Sequence, residues 1–318
     1  MELSIIILNY NVKYFLDICL KSVIAATSNV DAEIIVVDNH STDGSVTTLE
    51  QKFPEVIFIA NATNLGFSKS NNQGVKIAKG NHVCILNPDT VVAEDTFLKL
   101  LKFVKTKPNF GVVGCKLVDG TGRFLPESKR NVPIIERALK KLYGIDNTYY
   151  ANHVEPDAVG EVDILVGAFM FMKKKIYDQV GGFDEDYFMY GEDIDLSYKV
   201  LKAGYDNYYY GLAKVIHFKG ESTLRDKLYA KRFYGAMQIF YKKHFKKNVL
   251  FSFLVGLGIR VVYLFRKMPV VNIKSIERYF LISDKMNEDL QKVLKKQVLL
   301  KFNLKEQIPN NTEIIFDS

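Results

Sequence analysis

The sequence predicts an α/β fold: a Rossmann-like, mostly parallel sheet flanked by helices, with a basic helical extension at the C-terminal end. Three observations carry this. The first 120 residues alternate short isoleucine- and valine-rich runs with stretches of helical spacing. Those runs are continuously apolar, as expected of strands buried on both faces. The polar clusters at 9–11, 38–43 and 87–89 each sit at the end of such a run, at the carboxyl edge where open α/β sheets bind ligands.

Taken in order, residues 3–8 (LSIIIL) are the first strand. Residues 13–26 are the first helix, with Tyr14, Leu16, Leu20 and Val23 near helical spacing. Residues 33–37 (EIIVV) form a second buried strand ending at Asp38, and 56–60 a third. Residues 68–79 read as a helix, and 83–86 (VCIL) as a fourth strand running into Asn87-Pro88-Asp89. Asp119-Gly120-Thr121-Gly122 is a hairpin turn signal. Residues 128–158 mix basic, proline and tyrosine residues without a period, and 161–173 read as one further strand. Residues 192–203 are a helix with Gly204 placed to end it, and 224–245 a tyrosine-rich basic helix.

At 318 residues the chain has room for one large α/β domain and a smaller appendage. Met1-Glu2-Leu3 leads straight into the first strand with no basic n-region, so no signal peptide is expected. Cys19, Cys84 and Cys115 are odd in number and each lies in an apolar segment, which suits a reducing cytoplasm better than a disulfide framework or a zinc site. The net charge of +7 is unevenly distributed: residues 1–213 hold 22 Lys and Arg against 27 Asp and Glu, residues 214–318 hold 21 against 9. Within the basic part, 249–265 (VLFSFLVGLGIRVVYLF) is apolar, interrupted by Arg260 and bracketed by Lys242, Lys243, Lys246, Lys247, Arg266 and Lys267. It is short for a spanning helix, and two readings stay open: a helix lying on an anionic membrane surface, or one packed on the domain or on a second copy in an oligomer. Because the cations flank an apolar run instead of a polar groove, nucleic acid is not the expected partner.

Each strand end carries residues suited to a nucleotide-linked substrate. Asp38 in VVDNHSTDGS (36–45) is placed to accept hydrogen bonds from a base or ribose, although Asp and Ser also begin helices with no ligand present. NLGFSKSNNQG (64–74) concentrates Asn64, Asn71, Asn72 and Gln73, a density that suggests a polar site more than a packing face. In LNPDT (86–90), Asp89 lies just past a buried strand with Pro88 fixing the turn, where a carboxylate can bind a divalent cation; the alternative is a helix cap, with the helix starting near Glu94. GGFDEDYFMYGEDIDLSYKV (181–200) holds six acids in twelve positions: Asp184, Glu185, Asp186, Glu192, Asp193 and Asp195. A helix dipole accounts for one or two, and a carboxylate crowded by others is held protonated to higher pH and can act as a base. HFKGEST (217–223) adds His217, Gly220 and Ser222.

Together with IIILNYN (5–11) and GAFMFMKK (167–174), and in this order, these segments resemble the family-2 glycosyltransferases of GT-A fold, in particular their rhamnosyltransferase-like branch acting on bacterial surface polysaccharides. The resemblance covers about residues 1–225. It implies an inverting, metal-assisted transfer of a sugar, rhamnose at the level of the branch, from a nucleoside-diphosphate sugar to a hydroxyl of a glycan or lipid-linked oligosaccharide. It implies that Asp38, with the backbone at Asn9 and Tyr10, contacts the base and ribose, and that Asn64 and Gly66 lie against the nucleotide. Asp89 binds Mg2+ or Mn2+ as the last acid of the family's Asp-x-Asp motif, and His217 completes the metal or diphosphate environment. Asp193 is the general base and Glu192 supports it. One departure stands out, since the motif reads Asn87-Pro88-Asp89 and an amide replaces the first carboxylate.

The expected organisation is a catalytic domain over 1–225, with the nucleotide in about 1–120 and the acceptor and base in 121–225, followed by the basic region 226–318. The expected location is the cytoplasm, at the inner face of the membrane if 249–265 lies on it. Two other classes were weighed. A degenerate nucleotide-sugar-binding subunit would not need to retain Asp89 and Asp193. A sugar nucleotidyltransferase wants a glycine-rich basic loop after the first strand, and LNYNVKYF (8–15) has none.

Overall fold

The computed structural model describes residues 1–133, 149–218, 227–245, 277–283, 286, 288–294, 296–301 and 312–316. In chain order the elements are β1 (Leu3–Asn9), α1 (Lys13–Thr27), β2 (Ala32–Asp38), α2 (Ser45–Lys52), β3 (Ile57–Ala60), α3 (Phe67–Ile77), β4 (His82–Leu86), β5 (Thr90–Val92), α4 (Thr96–Lys105) and β6 (Phe110–Val118). They continue with β7 (Lys129–Arg130), β8 (Val159–Glu161), β9 (Ile164–Leu165), β10 (Phe169–Lys173), α5 (Lys174–Gln179), α6 (Glu192–Lys202), β11 (Asp206–His217) and α7 (Lys227–His244). The last four are β12 (Arg278–Ile282), α8 (Glu288–Leu294), β13 (Gln297–Lys301) and β14 (Thr312–Phe316). By contact density the chain divides into one unit of Met1–Arg266 and another of Lys267–Ser318.

In the first unit nine strands form one sheet in the order β3-β2-β1-β4-β10-β6-β11-β5, with β8 paired to β11. β1 to β4 are parallel to one another, as the alternating pattern predicts. β6 and β11 are also parallel, while β10 is inserted antiparallel between β4 and β6. The isoleucine-rich runs are explained by burial on both faces. Ile5 and Ile7 enter one apolar cluster with Leu16, Leu20 and Val23 of α1, and Ile6 enters the opposite cluster with Val75 of α3. Each such side chain removed from water is worth about 1.5–3 kcal/mol, so β1 has one register that satisfies both layers.

Several expectations are corrected here. LNPDT does not cap a helix: residues 90–92 are β5, antiparallel to β11, because Thr90 and Val92 are apolar enough to be buried at the sheet edge. The single strand expected over 161–173 is three short strands, broken where residues 166–168 turn away from the sheet toward α6. The extension expected to be helical is so at its start, α7, but the second unit holds a three-stranded parallel sheet, β13-β12-β14, with α8 between β12 and β13 in the chain. Short consecutive apolar runs rich in aromatic and branched residues in RYFLI and QVLLK favour strands over the helix suggested by the overall basic composition. The Asp119–Gly122 turn forms as predicted: Asp119 receives the Gly122 amide, and Gly122 takes a φ of 84°.

Among the described residues no helix is long and apolar enough to cross a membrane, and 249–265 lies outside them. The three cysteines are free and buried, and burial pushes the Cys19 thiol up to about 12.

Candidate active site

The carboxyl ends of β1 and β2 are in register, so Asn9 lies opposite Asp38. The Asn9 amide donates to Asp38 Oδ1 at 2.6 Å, to Ser45 Oγ at 2.8 Å and to Ser41 Oγ at 3.1 Å, and the Ser41 amide donates to Asp38 Oδ2 at 2.8 Å. Asp43 closes the loop by accepting from the Lys13 amide and from Ser45. Burial works to raise its carboxyl, but these bonds outweigh it and hold it below the usual range. Asp38 is therefore buried and spent on organising the loop that follows it, while Tyr10 stands 42% exposed beside it.

Asn39, which sequence reading passed over, fastens this loop to the next motif. Its side-chain amide donates to Gly66 O at 3.1 Å, and its Oδ1 accepts Ser70 Oγ at 2.5 Å. Asn64 Oδ1 accepts the Gly66 amide at 2.9 Å, and Gly66 has a φ of 85°. A Cβ there would come within 2.6 Å of the Phe188 carbonyl, which accepts the Phe67 amide at 2.7 Å. Gly66 thus lets the acidic 184–190 loop lie directly against the start of α3.

The amides of α3 need a different explanation from an open polar site. Asn71 is fully buried and bonds Phe67 O. Asn72 ties α3 to the far loop, donating to Phe183 O and accepting from the Phe183 amide and Tyr177 Oη. Their density reflects a polar seam between two layers, which a sequence cannot distinguish from a ligand site because both need paired donors and acceptors.

The β5–β11 register places Thr90 opposite His217, and the Phe218 amide donates to Asp89 O at 3.0 Å. His217 Nε2 stands 3.4 Å from Asp89 Oδ1, and both side chains are nearly buried. His217 Nδ1 is buried with no partner, and the Asn87 side chain makes no hydrogen bond to a described residue. Among the described residues no group of three or more His, Cys, Asp or Glu gathers for a metal. Asp89 Oδ1 and the His217 Nε2 that faces it are the donors suited to a divalent cation, with phosphate oxygens completing its shell. Of HFKGEST, Gly220 and Ser222 lie outside the described residues, as do 134–148 of the predicted acceptor half.

Two consecutive residues join this turn to the acidic motif. Ala168 O accepts the Asn87 amide at 3.0 Å, and the Gly167 amide donates to Asp193 Oδ2 at 3.0 Å. A Cβ on Gly167 would be 3.3 Å from Asp193 Cβ and 3.6 Å from the Phe67 ring, so glycine permits the approach. Asp193 begins α6 after Gly191, whose φ is 82°, and Oδ1 accepts the Ile194 amide at 2.8 Å. Its remaining partner was not anticipated: Arg130, at the end of β7, donates from Nη2 to Asp193 Oδ2 at 2.5 Å, with both side chains about 11% exposed. The only sequence hint was its basic character in an unperiodic stretch. Glu192 is buried with Oε2 unpartnered, and burial first, then the charge of Asp193, pushes its carboxyl up to about 8. Crowding raises a carboxyl here, as expected, and the group so affected is Glu192.

Three further acids of the motif hold α7. Asp195, fully buried, accepts from His244 Nε2 at 2.6 Å and pairs with Lys199 at 3.2 Å. Lys243 pairs with Asp184 and, at 2.6 Å, with Asp186. The six acids therefore divide between a buried pair, an anchor for α7 and a solvent-facing remainder.

Residues 4–181 match the model of Glycosyl transferase family 2. The chain is 28% identical over 242 residues to the N-acetylglucosaminyl-diphospho-decaprenol L-rhamnosyltransferase of Mycobacterium tuberculosis, covering 70% of this chain and 78% of that one. It is 30% identical over 162 residues to the rhamnosyltransferase WbbL of Escherichia coli K12, covering 48% of this chain and 61% of that one. Among solved structures it resembles the mannosyltransferase PcManGT of Pyrobaculum calidifontis in complex with GDP-Man and Mn2+, with a TM-score of 0.55 at 16% identity, covering 84% of this chain and 76% of the other. At that identity the likeness speaks for the fold alone.

Proposed function

The chain belongs to glycosyl transferase family 2, and from that premise we propose that it transfers a sugar from a nucleoside-diphosphate donor to a hydroxyl of a glycan acceptor by a single inverting displacement. Rhamnose carried by deoxythymidine diphosphate is the donor favoured by the two rhamnosyltransferase relatives, and the name of the first favours an acceptor on a lipid diphosphate. The observation that carries the reading is the Gly167–Ala168 backbone, which holds the Asp89 turn and Asp193 at one place from two distant parts of the chain.

In this reading the nucleotide lies over the β1 and β2 ends, with Tyr10, Asn9 and Asp38 beside base and ribose and with Asn64 and Gly66 bordering it. Asp89 and His217 would hold a divalent cation, Mg2+ or Mn2+, with Asn87 beside the nucleotide-sugar; when bound, the cation would supply positive charge against the leaving diphosphate. Asp193 removes the acceptor proton as its oxygen attacks the anomeric carbon, and Glu192 shapes the field around it. Residues 1–120 serve the donor and 121–225 the acceptor. The basic region 226–318 places the reaction at the inner face of the membrane, where an acceptor on a lipid would be found. An inert nucleotide-sugar-binding subunit is disfavoured by the retention of Asp89 and Asp193 in this geometry.

Calorimetric titration with deoxythymidine diphosphate and uridine diphosphate, each with and without Mn2+, tests the donor site. Metal-dependent binding of one nucleotide, weakened at least about tenfold by Asp89→Asn, is expected. Binding indifferent to both metal and Asp89 would remove the metal role.

A further inference from the structure

The contact with most bearing on the chemistry is the Arg130 pair with Asp193. A carboxylate offers about four acceptor positions, and described residues occupy three of Asp193's. Oδ2 takes the Arg130 Nη2 and the Gly167 amide, and Oδ1 takes the Ile194 amide. Among the described residues, one position on Oδ1 remains open. Arg130 is itself fixed, since Nη2 also donates to Leu165 O at 3.3 Å and the Tyr149 hydroxyl is a further partner.

Resting on the reading of Asp193 as the base, we propose that Arg130 is its positioning residue: it occupies Oδ2, fixes the plane of the carboxylate, and leaves Oδ1 as the oxygen that receives the acceptor proton.

The charges around the pair support this. Asp193 is faced by Arg130 from β7 and by Glu192 on its own helix. Tyr149 lies on the far side of Arg130, and Tyr187 carries its hydroxyl near Glu192 and Asp195. Burial opposes the Arg130 charge, but Asp193 and Tyr149 outweigh it and raise the guanidinium further above its ordinary value. Burial and the neighbouring Asp193 favour the protonated form of Glu192, and of the two carboxyl groups Asp193 is the one held by three donors. Without Arg130, the two carboxyl groups would share a buried site stripped of that cation. The base would then also be free to rotate, with either oxygen available.

The test uses the full chain with deoxythymidine-diphosphate rhamnose and N-acetylglucosaminyl-diphospho-lipid as probes, and follows kcat against pH for Arg130→Met and Arg130→Lys. Arg130→Met should lower kcat by about 100-fold or more and move its acidic limb to higher pH. Donor KM and deoxythymidine diphosphate binding should stay within about twofold, and Arg130→Lys should recover about tenfold of the loss because it restores the cation without the fork. An unchanged acidic limb in both variants would overturn the inference. So would a loss confined to donor binding, which would place Arg130 on the diphosphate. Asp193→Asn is run beside them: wild-type turnover in that variant would instead remove Asp193 as the base, a failure distinct from that of Arg130.

Discussion

At the scale of single residues, burial and pairing set the behaviour of the acidic motif. Glu192 is pushed up to about 8 by burial and by Asp193, whereas an unfolded glutamate ionises near 4.5. The native state thus holds a proton that the unfolded chain has released. The stability this contributes is complete below about pH 4.5 and is lost as pH rises through about 8. Thermal unfolding should accordingly show a falling Tm between about pH 5 and 8, with a clearly shallower slope in Glu192→Gln. An identical slope in the variant would show that Glu192 is not the titrating group. Gly66 gives a second prediction. Its positive φ and the 2.6 Å approach to Phe188 O leave no room for a Cβ, so Gly66→Ala should cost about 2 kcal/mol in urea unfolding and weaken nucleotide binding as the 184–190 loop lifts. These single residues differ in how far the sequence revealed them. Asp89 stands out in the sequence because it follows an apolar strand, and Asp193 because it lies in an acid-rich motif; His217 is marked only by its place in HFKGEST. Arg130 does not stand out, because its partner lies 63 residues away and no local period marks either end. Asn71 and Asn72 were misread because a buried polar seam and a ligand site use the same residue types.

At the scale of elements, the long apolar strands were readable and the short ones were not. β1, β2 and β4 are buried on both faces, and burial on both faces produces continuous apolar runs. β5 has three residues, and β9 two, too few for any periodicity, so the strand after LNPDT goes unmarked and 161–173 reads as a single strand. The antiparallel insertion of β10 is likewise a tertiary fact, set by its neighbours β4 and β6. Helix α7 shows how an element beyond the family match joins the site: His244 reaches the buried Asp195 on the first turn of α6, which also carries Glu192 and Asp193. Ring contacts of Tyr198 with Phe240, His244 and Phe245 complete the joint. Removing the imidazole leaves the buried Asp195 with Lys199 and the Tyr187 hydroxyl as its side-chain partners among the described residues. His244→Ala should therefore cost about 3 kcal/mol in chemical unfolding and lower kcat more than donor binding. A variant as stable as the parent would mean that α7 is not held by this pair.

At the scale of the whole molecule, two distant stretches of chain meet to form one site. The β1 and β2 ends carry the Asn9–Asp38 loop, the turn after β4 and the end of β11 bring Asp89 beside His217, and α6 carries Asp193, the proposed base. The Gly167–Ala168 backbone and the Gly66–Phe188 contact connect them. That convergence is what the order of motifs anticipated: the family pattern keeps its sequence order because the sheet topology brings these segments together. The basic C-terminal half was legible as charge but not as structure, since composition alone does not separate the β12–β14 sheet from a helix. The central claim is a displacement in which Asp193 takes the acceptor proton while the sugar inverts. It is tested most directly by transfer from the sugar nucleotide whose diphosphate binds in calorimetry, with the anomeric configuration of the product read by NMR for the parent chain and for Asp193→Asn. The prediction is an inverted product from the parent, and transfer reduced by at least about 100-fold in the variant while donor binding persists. A product of retained configuration, or transfer at the parental rate without the Asp193 carboxylate, would contradict it.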